Sequence, residues 1–191
     1  MLPISREKAI EILKSMNQTE GDMNHYLESE AIMRKLALKI GEDTEYWGML
    51  GLLHDIDWSL TRDNTKEHLT KAPEMLRDLG FDEKFIQIVV SHGYGWDCAG
   101  LKDKKRTEKV EFALACSETV TGLIHAYALM RGKKISDMEA SGLKKKFKDK
   151  KFAAGCNREI ILECENFMKL DEFLALSIEA IKEIKSEVGL S

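Results

Sequence analysis

An all-α fold is what this sequence predicts, and three observations carry that reading. Apolar residues recur at helical rather than alternating spacing along most of the chain. The composition leans to Met, Leu, Lys and Glu, with only 2 Pro against 13 Gly, which favours helix. Capping and stop residues fall where the periodic stretches begin and end.

The elements follow in order. A first helix is expected over about 5–16, carrying Ile10, Ile12 and Leu13. A second spans about 22–40, where His25, Ser29, Ile32 and Leu36 recur at steps of 4, 3 and 4. Gly41 stops it in a left-handed cap position. Asp43 or Thr44 caps a helix of about 45–54, with Trp47, Leu50, Gly51 and His54 on one side. The polar stretch 57–72 reads as a loop with a turn of helix near His68. Pro73 suits the first position of a helix ending at Gly80. Asp82 caps the next, whose apolar side carries Phe85, Ile88, Val89 and His92. After a glycine-rich, aromatic loop over 93–105, a long helix of about 107–131 places Glu111, Leu114, Glu118, Thr121 and His125 on one stripe. Ser136 with Glu139 reads as a capping box, and Asn157 and Asp171 as starts of the last two helices. No internal repeat or linker interrupts the pattern, so residues 1–191 are expected to form a single domain.

Composition excludes several classes. Hydrophobic residues make up 43% of the 191 and charged residues 32%, which rules out a disordered tail, a collagen-like repeat and a disulfide scaffold. With 29 basic and 33 acidic residues the net charge is −4, too even to advertise nucleic acid as the main partner. Neither a secretory signal nor a run of about 20 apolar residues is apparent, so no membrane partner is expected. Cys98, Cys116, Cys156 and Cys164 are scattered and read as buried free thiols of a cytoplasmic protein.

Common nucleotide-binding and hydrolase signatures are missing: no G-x-x-x-x-G-K-[ST], no G-x-G-x-x-G, no G-x-S-x-G and no H-E-x-x-H. What stands out is where the histidines fall. His25, His54 and His92 each occupy the apolar side of a different helix, and Asp55 follows His54 directly. Such groups need partners away from water, and several can satisfy one another by converging on a metal.

With those residues in view, the chain resembles the HD-domain superfamily of metal-dependent phosphohydrolases. Gly51-Leu52-Leu53-His54-Asp55-Ile56-Asp57, preceded by His25 and followed by His68, His92 and an acidic helix, is similar to the family's ordered pattern. Thr121-Gly122-Leu123 looks like its close relatives as well. The resemblance implies an HD-like helical domain with a motif-bearing core over 22–131 and C-terminal helices over 135–191. It implies His25, His54, Asp55 and Glu118 as metal ligands. Glu118 stands where the family has Asp, a side chain longer by one carbon–carbon bond of about 1.5 Å. It also implies that His68 and His92 hold a second metal or the substrate phosphate, so that Asp55, His68 and His92 form the catalytic set.

The chemistry accounts for these residue types. Phosphate ester hydrolysis needs a nucleophile at neutral pH and cations to screen the phosphoryl oxygens. Mixed nitrogen and oxygen donors suit one or two divalent ions of Mn, Fe, Co, Ni, Zn or Mg rather than Ca. With two ions, Asp55 is the natural bridge. The expected substrate is a nucleotide or another small phosphate ester. Two other classes compete: a metal- or nucleotide-binding module without turnover, motivated by Glu118, and a di-iron redox enzyme.

Other conspicuous residues have structural readings. Asp57 reads as a loop or cap residue, and His125 as a core group two turns from Glu118. Tyr94 and Trp96 read as loop packing. The run Lys144–Lys151 reads as a solvated amphipathic helix anchored by Phe147.

Overall fold

A computed structural model describes residues 2–191, which are helical with no strand among them. In chain order the helices are α1 (Arg6–Ser15), α2 (Glu20–Ile40), α3 (Thr44–Leu53), α4 (Trp58–Thr61), α5 (Ala72–Asp78), α6 (Glu83–Ser91), α7 (Lys109–Met130), α8 (Ala140–Lys148), α9 (Arg158–Leu162) and α10 (Leu170–Glu183). Two 3₁₀ turns, Thr65–Glu67 and Glu163–Asn166, complete the set.

Side chains dictate most of the boundaries. The Thr19 hydroxyl accepts from Asp22 N while the Asp22 carboxylate accepts from Thr19 N, a reciprocal capping box that starts α2. Gly41 ends that helix at φ 79°, where a side chain would be strained. Asp43, Asp82 and Asn157 cap α3, α6 and α9 through their side-chain oxygens. Glu108 and Glu111 form a capping box at the start of α7.

The long helices α2 and α7 pack together and organise the rest. On one side lie α3 and α6, with α3 folded back against α2; on the other lie α8, α9 and α10. Gly51 explains how closely α2 and α3 approach. A Cβ there would sit 2.7 Å from the carbonyl oxygen of Ser29, so only glycine lets the two backbones touch. One apolar cluster runs through this arrangement from Ala9 to Leu190. By length and composition alone α7 is long and apolar enough for a membrane span. Most of it is nonetheless buried inside the helical assembly, as a central core helix must be.

Several boundaries differ from expectation. The 57–72 stretch holds α4 and a 3₁₀ turn rather than a plain loop. Ser136 does not cap a helix: its amide donates to the Ser191 carbonyl, its hydroxyl accepts from Lys185, and α8 begins only after Glu139. Lys169, not Asp171, precedes α10, and Asp171 sits in its first turn. The lysine run is helical only as far as Lys148, with Phe147 buried as its anchor, while Lys150 and Lys151 lie beyond α8 and Lys146 sits over the rings of Tyr127 and Phe152.

Candidate metal centre

Five side chains from four segments meet near one end of α2. His25 lies in the second turn of α2, and His54 and Asp55 follow directly after α3. His68 follows the Thr65–Glu67 turn, and His92 ends α6. The ligand atoms of His25, His54 and Asp55 all lie within 4.8 Å of one another, as do those of Asp55, His68 and His92.

Three of the four imidazoles are held from behind by a hydrogen bond. His54 Nδ1 lies 2.8 Å from the Gly51 carbonyl and His92 Nδ1 2.7 Å from the Val89 carbonyl. A carbonyl only accepts, so in both rings Nδ1 carries the hydrogen and Nε2 is a bare lone pair. The Thr121 hydroxyl donates to the Glu118 carbonyl at 2.6 Å, so it accepts from His25 Nδ1 at 2.8 Å, and His25 Nε2 is bare as well. His68 Nδ1 sits 3.2 Å from Asp57 Oδ1, at an angle too poor for a full hydrogen bond, and neither atom has another partner. Asp57 is itself fixed, because its Oδ2 accepts from the amides of Lys71 and Ala72 at the start of α5.

The four Nε2 atoms converge in two pairs around Asp55. His25 and His54 Nε2 lie 3.0 Å apart and face Asp55 Oδ2 at 3.8 and 3.6 Å. His68 and His92 Nε2 lie 3.2 Å apart and face Asp55 Oδ1 at 3.3 and 3.1 Å. One carboxylate therefore offers one oxygen to each pair.

Electrostatics mark the same place. Burial pushes His54 down to about 3 and lowers His25. Burial also opposes the charge on Asp55, but the surrounding histidines outweigh it and hold the carboxyl well below its ordinary range. His68 is the exception: burial would lower it, yet Asp55 and Asp57 together raise it to about 10. Without a metal, a proton on His68 is the cation that these two carboxylates share. This donor set fits a divalent cation, since bare lone pairs and a carboxylate crowd together with nothing but that proton to join them.

Glu118 is placed differently from its neighbours. It lines the same cavity, but its carboxylate belongs to neither group of converging ligand atoms and instead accepts from the Thr119 hydroxyl. Burial raises it to about 7, and the pull of His92, Thr119 and Arg106 offsets only part of that rise. The structure thus gathers His25, His54, Asp55, His68 and His92, and leaves Glu118 beside them. The sequence reading missed Thr121 as the group that orients His25, although it noted the residue. It took Asp57 for a cap, which it is, without its contact to His68. His125 lies elsewhere and pairs with the buried Glu28 at 2.7 Å.

A cavity of about 570 Å³ opens onto the centre. Trp58, Trp96, Cys98 and Cys156 line it, Lys66 supplies a cation, and Trp58 meets His68 edge-on at 5.3 Å.

Comparison with known proteins agrees with the region the site occupies. The family model described as the HD domain matches residues 23–127, more than half of the chain. A 91-residue stretch, 45% of the chain, is 40% identical to an uncharacterized protein of Methanocaldococcus jannaschii and covers 52% of it. The chain therefore spans about half the length of this curated relative. No solved structure matches the chain.

Proposed function

The chain belongs to the HD-domain family, and from that premise we propose that it is a metal-dependent phosphohydrolase acting on a nucleotide or another small phosphate ester. The observation that carries this reading is the division of Asp55 between two histidine pairs. Four imidazoles and one carboxylate shared between them make two adjacent donor groups, an arrangement suited to holding one or two divalent ions. Glu118 enters as a further oxygen donor from the same cavity wall.

Divalent ions bound there would supply Lewis acidity, screening phosphoryl charge and making water nucleophilic near neutral pH. The rest falls to the chain's own groups. Gly51, Val89 and Thr121 hold the Nδ1 side of His54, His92 and His25, so that these Nε2 atoms stay aimed at the centre, and Asp57 faces Nδ1 of His68. Asp55 and Asp57 keep His68 protonated until an ion takes the place of that proton. Trp58 and Trp96 offer apolar surface to the organic part of a phosphate ester, and Lys66 sits in the wall to meet its charge. The substrate is proposed as a class, because a fold does not encode it.

The test is turnover of a generic phosphomonoester and a nucleotide panel by chelated and Mn²⁺-loaded protein. Metal-dependent release of phosphate supports the reading. Normal Mn²⁺ binding with no turnover of any substrate favours the second reading, a binding module without catalysis, for which the position of Glu118 outside the converging ligand atoms speaks. An oxygen-sensitive visible spectrum with bound iron would favour redox chemistry instead.

A further inference from the structure

Arg106 plays no part in the reading above, yet its side chain is only 5% exposed. It leaves the loop ahead of α7 and reaches the end of α6. There Nη1 donates to three carbonyl oxygens: Ser91 at 2.8 Å, His92 at 3.2 Å and Tyr94 at 3.1 Å. Its remaining donors engage Glu163, with Nη2 on Oε1 at 2.9 Å and Nε on Oε2. Glu163 opens the 3₁₀ turn after α9, so the clamp ties α6 to the C-terminal helices.

Ser91 closes α6 and its carbonyl also accepts from the Tyr94 amide, His92 and Tyr94 follow the helix end, and a cation is favoured against carbonyls gathered there. Their position matters because His92 ends α6, and the Nδ1 side of its ring is backed by Val89 on the same helix. Wherever that turn lies, His92 Nε2 goes with it. The same turn starts the 93–101 loop that brings Trp96 and Cys98 to the cavity. By contrast, His25 and His54 take their backing from Thr121 and Gly51, and Arg106 touches neither.

We propose that Arg106, held in place by Glu163, is a positioning residue for His92 and so sets the His68 and His92 half of the centre independently of the other half. This rests on the metal-centre reading given above. Arginine is required because a planar fork of five donors serves three carbonyls and a carboxylate at once, whereas the lysine ammonium gathers its three donors at one point.

The experiment compares wild type with Arg106→Lys and Glu163→Gln. Chelated proteins are followed by amide hydrogen exchange, and Mn²⁺ binding by calorimetry with metal analysis. In Arg106→Lys, amides of residues 92–97 should exchange faster while those around His25 keep their wild-type rates. One Mn²⁺ should keep wild-type affinity and the other should weaken by about 10–100-fold, as when a group that orients a ligand is lost. Glu163→Gln keeps the carbonyl contacts of Arg106 and should show the same pattern in smaller measure. Should Arg106→Lys fail to fold, the same asymmetry in Glu163→Gln decides. Unchanged exchange at 92–97, or affinities falling equally at both positions in step with overall stability, would overturn the proposal and leave Arg106 a buried ion pair. If wild type itself binds no Mn²⁺, the metal reading fails, and the exchange data still judge the clamp.

Discussion

Nε2 of His25 and Nε2 of His54 face each other at 3.0 Å, and neither carries a hydrogen to share. Thr121 and Gly51 have taken the ring hydrogens on the far sides. Two lone pairs this close repel unless a cation joins them, so the pair stores an affinity that only a metal or a proton satisfies. Burial makes the proton costly.

Metal should therefore stabilise the fold, because the unfolded chain cannot bring these ligands together. At about 100-fold excess over Kd the gain is roughly 2.7 kcal/mol. The expected result is a melting temperature that falls on stringent chelation and recovers with Mn²⁺. A verified metal-loaded sample that melts identically after chelation would remove the metal centre from consideration.

Asp55 is the one residue that serves both pairs, so its loss should be more severe than that of any single histidine. Asp55→Ala is expected to lose both ions and all metal-dependent turnover, while His92→Ala keeps the ion on the His25 and His54 side. Metal analysis of the two purified variants checks this. Equal metal content in both would mean that Asp55 does not bridge.

Thr121 should matter through His25 rather than by touching a metal. Thr121→Val keeps the shape but removes the oxygen that holds Nδ1, and ion affinity should fall by about 10–100-fold. Thr121→Ser retains a hydroxyl and should restore most of it. If Ser and Val behave alike in Mn²⁺ titrations, the methyl group and not the hydroxyl is what the site uses.

Gly51 tests the helix approach that sets His25 against His54. With a Cβ placed 2.7 Å from the Ser29 carbonyl, Gly51→Ala must push α3 away from α2. Overpacking of this kind costs about 1–3 kcal/mol. Urea unfolding measures that loss, and Mn²⁺ affinity should fall with it because His54 moves as α3 moves. A variant as stable as wild type would show that the two backbones have room to spare.

Much of this was legible in the sequence, for reasons tied to particular residues. Gly41, Asp43, Asp82 and Asn157 act on neighbours within a few residues, so their helix boundaries follow from local chemistry. The apolar settings of His25, His54 and His92 pointed to their convergence, while the part of His68 was implied by the resemblance to the HD-domain family, since it lies in a polar stretch. What escaped depends on distant partners. Ser136 looked like a cap, but its amide is claimed by Ser191, far along the chain. Nothing in the sequence around Arg106 singles it out, and only the fold shows that it gathers three carbonyls and Glu163. Helix α4 is four residues long, too short to show a period. The side-chain direction of Glu118 depends on Thr119 and on what fills the cavity, neither of which spacing encodes.

Glu118 yields a pH dependence whose sign identifies it. In the chelated protein burial raises its carboxyl from 4.5 to about 7. The folded state thus holds this proton more tightly than the unfolded chain does. Its contribution to stability is fully present below pH 4.5 and is lost as pH rises through about 7. Glu118→Gln carries no titrating proton, so the stability difference between wild type and variant should shift in favour of the variant over that window. Urea unfolding of both chelated proteins at pH 5 and pH 8 measures the shift, and the subtraction cancels His54, whose depressed value acts in the opposite sense. Parallel curves would mean that Glu118 is solvated and titrates normally. Repeating the pair with Mn²⁺ then assigns its role. An ion that takes an oxygen from Glu118 displaces the proton, so loaded wild type should hold its stability at pH 8 and bind Mn²⁺ more tightly than Glu118→Gln. Equal affinity in the two would remove Glu118 from the donor set and leave the centre to the four histidines and Asp55.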